Sequence, residues 1–228
     1  MYPMFFDSTM ILILPALAFA IWAQSRISST FARYSEVRAR GGVTADSVSR
    51  TLLDRFGLQG VSIERVPGNL TDHYDPRSKV LRLSDSVGGS ASIAAIGVAA
   101  HEVGHAIQDN EGYVPLRLRN AIVPVVNIGS MGAFPLFLIG FFMRAPMLIN
   151  LGIVLFAGVV VFHLVTLPVE FDASARALKM LSGTRVLMND ELGGARKVLN
   201  AAALTYVAAA VMAIAQLLRL LILSRGRR

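Results

Sequence analysis

Hydrophobic positions along the 228-residue chain gather into four long runs, with two polar stretches between them. Ser8–Ser25, Asn120–Met143, Ala145–Val169 and Val198–Leu218 contain no Asp, Glu, Lys or Arg. A helix needs about 20 mainly apolar residues to cross the hydrocarbon core of a bilayer, so each run predicts a membrane span. The first is the shortest and carries Pro15. Its leading "MYPMFFD" has no basic residue and no small-residue cleavage site follows, so it reads as an anchor and not as a cleaved signal. Only "FFMRAPM" separates the second span from the third, which predicts a tight hairpin and puts both polar stretches on one side of the membrane. The expected divisions are a first transmembrane helix (1–25), a polar segment (26–119), a transmembrane hairpin (120–169), a polar helix (170–197), and a fourth span with a basic tail (198–228).

Within the first polar stretch the pattern changes to short elements. "GGVTADSVSRTLLDRFGLQG" predicts an amphipathic helix with Thr44 as cap, Val48, Leu52, Leu53 and Phe56 on its apolar face, and Gly57 as its stop. "VSIERV" alternates as a strand, "PGNLTDHYDP" is rich in turn residues, and "KVLRLS" is a second strand. "GGSASIAAIGVAAHEVGHAIQ" then predicts a helix of small residues. The expected fold class is α+β and mainly helical, a four-helix transmembrane bundle bearing a small polar unit.

Composition supports this picture: 54% of residues are apolar, 16% are charged, and the mean hydropathy is +0.56. The absence of cysteine excludes disulfides and thiolate metal sites. A net charge of +7 does not indicate nucleic acid, since no basic run is interleaved with aromatics and membrane proteins carry Lys and Arg beside their spans. The two polar segments hold 17 of the 22 Lys and Arg, which predicts a multi-pass protein of the cell membrane with these segments in the cytoplasm. The tail "SRGRR" opposes that orientation, because four full spans would leave both termini outside.

The chemistry concentrates in "AAHEVGHAIQ". On a helix, residues four apart share a face, so the imidazoles of His101 and His105 can hold one metal ion. Zinc accepts imidazole nitrogen, and a catalytic zinc keeps three protein ligands and one open position. Glu102 is placed to act as general base toward a water at that position. A third ligand is needed. Glu170, in "LPVEFDASARALKML", is the first charged residue after 25 uncharged ones and lies at a membrane face on the side expected for the histidines; Asp172 is the alternative. Pro168 suits a helix start just before it.

Taken together, "HEVGH", the helical hairpin and "EFDASARAL" resemble the gluzincin arrangement of membrane zinc metallopeptidases, and "LTDHYDPRSKVLRLS" resembles the YugP-type neutral zinc metallopeptidases. The resemblance extends over nearly the whole chain. It implies a zincin-like catalytic unit with one Zn2+ per chain on His101, His105 and Glu170, Glu102 as base, and a protein or peptide substrate. Membrane peptidases of the HtpX type usually carry an Asp four residues after the ligand glutamate, whereas this chain has Ser174 there and Asp172 two residues earlier. Either is a candidate to support a histidine.

His73, Tyr74 and Arg176 are candidates for oxyanion or substrate contacts, and His163, inside the third span, is an intramembrane ionisable group. "KVLRLS" is expected to offer an edge to an extended peptide. Membrane lipid is the expected surrounding, with a regulatory membrane partner or a second copy of the chain as further partners. Two other readings are an intramembrane protease and a non-catalytic membrane protein with a structural metal. A structural zinc normally has four protein ligands, and only three are evident.

Overall fold

The computed structural model describes residues 8–225. The "MYPMFFD" leader and the last three residues of the basic tail lie outside them. A 3-10 turn, Ser8–Leu12, leads into α1 (Ile13–Ser35), followed by α2 (Ala45–Arg55), β1 (Ser62–Val66), β2 (His73–Asp75), β3 (Val80–Ser84) and α3 (Ile93–Asn110). Three long helices complete the chain: α4 (Val114–Met143), α5 (Pro146–Thr184) and α6 (Asn189–Arg225). The protein is thus mainly helical with one small sheet.

Three helical stretches are long and apolar enough to cross a membrane: Ser8–Ser35, Pro146–Thr184 and Asn189–Arg225. The second expected span, Asn120–Met143, falls in α4, whose halves Val114–Asn127 and Gly129–Met143 meet at a 40° bend and qualify only as a pair. Pro124 and Pro135 flank the bend, and each removes a backbone donor from the helix. Pro168 was expected to open a helix; instead it sits inside the continuous 39-residue α5. The charge pattern changes there, but helical propensity continues through "VEFDASARALKML", so the backbone does not break.

The chain divides into two compact units. The first combines the described residues up to Gln24 with Arg117–Leu167 and the chain from Thr205. Its small core gathers Phe137, Phe141, Ile149 and Leu220. The second combines Ser25–Leu116 with Pro168–Leu204. Its core is larger and joins α2 (Val48, Leu52, Leu53), β3 (Leu81, Leu83), α3 (Ile96, Ala99, Ala100, Val103) and α5 (Ala177, Leu181).

Helix α2 starts after Thr44, whose hydroxyl meets Ser47 Oγ at 3.2 Å and makes no cap to the backbone. It stops where Gly57 takes φ +73°, a value that favours glycine. Phe56, expected on the apolar face, is 44% exposed, because it is the C-cap residue and the chain turns there.

The sheet has the order β1-β3-β2, with β1 parallel and β2 antiparallel to β3. "KVLRLS" is therefore the central strand, with both sides occupied, and cannot offer an edge. The edge strands are β1 and β2, the latter hidden in a sequence rich in turn residues. Asp75 closes the β2–β3 turn by accepting from Arg77 N at 2.9 Å and from Ser78 Oγ at 2.7 Å. Asp72 secures the far end, accepting from Ser84 N at 2.7 Å and Ser84 Oγ at 2.9 Å. Burial raises the Asp72 pKa above its ordinary value despite these bonds.

Candidate metal centre

Helix α3 carries the histidine pair, and its N-terminus is fixed by Ser92, whose Oγ accepts from Ala95 N at 3.2 Å. Along its length α3 presents small residues to its neighbours. A Cβ built on Gly104 would stand 2.7 Å from the Ala173 carbonyl oxygen and 3.2 Å from its Cα. The glycine inside "HEVGH" thus lets the backbones of α3 and α5 approach closely. Such an approach at Ala173 brings Glu170, about one turn earlier on α5, against the two histidines.

His101 Nε2 lies 3.3 Å and His105 Nε2 3.6 Å from the same oxygen, Glu170 Oε2. One ligand atom from each of the three residues lies within 4.8 Å of the other two. The rings stand nearly perpendicular, at 83°, with centroids 4.7 Å apart. Among the described residues this is the one cluster of three or more such side chains able to hold a metal. The donor set fits zinc: two neutral imidazole nitrogens and a carboxylate oxygen are ordinary zinc ligands, and bonds of about 2.0–2.2 Å in a tetrahedron put ligand atoms roughly 3.3–3.6 Å apart. Glu170 is 4% exposed and the histidines 13% and 12%, so the centre is largely shielded from solvent and open to it mainly at the imidazoles. Burial disfavours a charged His105, but the hydrogen bond to Glu170 and the charges of Glu102 and Glu170 outweigh it and raise its pKa.

Glu102 is buried, and its Oε2 accepts from the backbone N–H of Tyr74 at 3.1 Å. The edge strand β2 therefore touches the glutamate of the motif through its main chain. The Tyr74 side chain turns elsewhere and donates its hydroxyl to Asp109 Oδ2 at 2.8 Å, and Lys79 Nζ approaches the same oxygen at 2.5 Å. Burial first, and then Asp109, push the Tyr74 phenol above its ordinary pKa. His73 is exposed, with Nδ1 2.9 Å from the Thr71 carbonyl. The Arg176 guanidinium is held by Asp172 at 2.5 Å and Glu111 at 2.6 Å, and stacks over Tyr113. His163 belongs to the other unit, where its ring lies edge-on to Phe162.

Ser174 Oγ stands 3.1 Å from His101 Nδ1. Asp172 does not reach a histidine. Its Oδ2 accepts from Gln108 Nε2 at 2.8 Å, and Gln108 Oε1 lies 2.9 Å from His105 Nδ1. Gln108 was passed over in the sequence, although it lies three residues beyond His105 and so on the same helix face.

Residues 9–225 match a family model described as "Putative neutral zinc metallopeptidase". Over 217 residues the chain is 49% identical to "Putative membrane protease YugP" of Bacillus subtilis (strain 168), an alignment that covers 95% of this chain and 96% of that protein. No solved structure matches it.

Proposed function

The chain belongs to the neutral zinc metallopeptidase family, and from that premise we propose that it is a membrane-embedded endopeptidase with a zincin-like catalytic unit. One zinc ion is held by His101, His105 and Glu170. The observation that carries this reading is the convergence of those three side chains, with ligand atoms within 4.8 Å of one another, beside a buried Glu102. When bound, zinc supplies a Lewis acid for the scissile carbonyl and brings the pKa of water down toward about 7. Glu102 takes the proton of the attacking water and delivers it to the leaving amine. The backbone N–H of Tyr74 holds the Glu102 carboxylate in place for both transfers. Because β3 is enclosed between its neighbours, β2 is the edge beside Glu102 along which an extended peptide can lie. Binding of that kind engages the peptide main chain and leaves side-chain specificity broad.

Two features favour this reading over its alternatives. Helix α3 packs on α2, the sheet and α5 and is not among the candidate spans, which argues against cleavage within the bilayer. Three ligands with no fourth among the described residues argue against a closed structural site. The two polar segments, 26–119 and 170–197, are assigned to the cytoplasmic side on their share of the Lys and Arg, 17 of 22. The chain has no cysteine, so a single cysteine at exposed Arg77 can report this: an impermeant maleimide should label it in inverted vesicles and not in intact cells.

The decisive experiment is Glu102→Gln in detergent-purified protein, reading zinc content and hydrolysis of an unstructured protein substrate. Zinc should remain near one per chain while turnover falls by about 10²–10⁴-fold, the share general-base catalysis commonly provides. Full turnover in the variant would remove Glu102 from its role.

A further inference from the structure

Gln108 is fully buried, and all of its hydrogen-bonding groups are directed. Its Nε2 donates to the Val169 carbonyl and to Asp172 Oδ2, both at 2.8 Å, and its Oε1 faces His105 Nδ1 at 2.9 Å. The orientation of the amide follows from these partners. Val169 O and Asp172 Oδ2 can only accept, so both amide protons belong on their side, and a flipped amide would set oxygen against two oxygens. The oxygen then left toward His105 can only accept, so Nδ1 must carry the proton. In the neutral ring that leaves Nε2 as a lone pair aimed at the Glu170 side of the cluster.

We propose that Gln108 is the positioning residue that fixes the tautomer and ring orientation of His105 for metal binding, anchored by Asp172 and Arg176. This rests on the metal site proposed above. The anchor is an ordered chain: Glu111 and Asp172 hold Arg176, Asp172 holds Gln108, and Gln108 holds His105. Arg176 Nε holds Asp172 Oδ2 against the Gln108 amide, which keeps that amide from turning. Asp172 thus acts through Gln108 without touching a metal-binding ring. The other histidine is treated differently. Ser174 offers His101 a hydroxyl that rotates and serves as donor or acceptor, so it supports the ring without choosing its tautomer. The two rings should therefore depend unequally on their supports, Gln108 mattering more than Ser174.

The test is zinc affinity, by competition with a chelator, in purified Gln108→Met, Gln108→Glu, Ser174→Ala and Glu170→Ala. Methionine keeps the length and helix propensity of glutamine but leaves the His105 Nδ1–H, the Val169 carbonyl and Asp172 Oδ2 without this partner, while glutamate keeps an acceptor oxygen toward His105 and sets its other oxygen against Val169 O and Asp172 Oδ2. The metal-free melting temperature of each variant checks folding, and the visible spectrum of the cobalt-loaded protein reports ligand geometry. Gln108→Met should weaken zinc by about 10–100-fold and alter the cobalt spectrum, while Gln108→Glu should melt lower without metal yet keep the wild-type cobalt spectrum and lose less zinc affinity than Gln108→Met, as should Ser174→Ala. Wild-type affinity in Gln108→Met, an equal loss in Gln108→Glu, or a larger loss in Ser174→Ala would overturn the assignment. If Gln108→Met fails to fold, Gln108→Glu decides, since a wild-type cobalt spectrum supports the proposal and an altered one refutes it. Glu170→Ala separates the two levels. Its loss of zinc upholds the site whatever Gln108 does, and its retention of zinc removes the site and this inference together.

Discussion

The two units of the molecule solve their packing in different solvents. In the polar unit, large apolar side chains such as Leu52, Leu53, Leu81 and Leu181 are wholly enclosed, and buried polar groups such as Gln108 and Ser84 have partners. In the apolar unit, Met131, Met147, Phe142 and Val154 stand 66–82% exposed on helices with few charges. In water that surface would drive aggregation; against lipid it needs no partner. The metal cluster lies wholly within the polar unit.

The largest test of this contrast uses one residue type in both units. Val154 is 66% and Val114 72% exposed, yet they belong to the apolar and polar units respectively. Val154→Asp should cost about 3 kcal/mol of membrane insertion, read as loss of protein from the membrane fraction. Val114→Asp should stay within about 0.5 kcal/mol, since it faces water in the first turn of α4, where an acidic residue is favourable. Equal behaviour of the two variants would erase the distinction between the units.

A pair of helical glycines gives the next largest effect. Gly104 meets the Ala173 backbone at 2.7 Å, whereas nothing lies within 4 Å of a Cβ built on Gly158. Gly104→Ala should push α5 away from α3, destabilise the polar unit by about 1–3 kcal/mol and lower zinc occupancy, because Glu170 moves with the helix. Gly158→Ala should be neutral or stabilising by up to about 1 kcal/mol through helix propensity, with zinc content unchanged. Thermal unfolding and metal analysis of the two variants side by side would show whether the close approach at Gly104 is what holds Glu170 to the histidines, since approaches as close at Gly140 and Gly152 lie in the apolar unit, away from the metal cluster.

The same contrast explains what the sequence made legible. Spans announce themselves by runs without charge, and "HEVGH" by spacing alone, because one turn of helix is enough to align two imidazoles. The reach of Glu170 to the histidines was less visible, since it depends on Gly104, a contact between segments almost 70 residues apart. β2 was hidden because only His73–Asp75 are extended, among turn residues, and the central position of β3 depends on that hidden strand. Pro168 misled because a change from apolar to charged composition looks like an end of helix, whereas one proline need not break a helix that is a good former on both sides. Gln108 carried no sequence signal beyond its spacing, for an amide shows its role only once both donors and its acceptor have partners.

The smallest effect concerns the hairpin that supports Glu102. Asp75 is held below its ordinary pKa of 3.8 chiefly by the Ser78 hydroxyl, with the Arg77 N–H and Arg82 adding to it. A carboxylate whose folded pKa is depressed adds stability that is complete above the unfolded value and is lost as pH falls through the folded one. Asp75 is partly exposed to solvent, so the contribution is small, and it should be read by comparison with Asp75→Asn. At neutral pH the wild type should melt slightly above the variant, and the difference should shrink as pH falls below about 4, because only the wild type loses a charge there. A gap that stays constant or widens in acid would mean that the turn is held by its backbone alone. Since β2 presents the Tyr74 N–H to Glu102, a loosened hairpin should also lower turnover modestly with zinc content unchanged, which sets this support apart from that of the metal-binding residues.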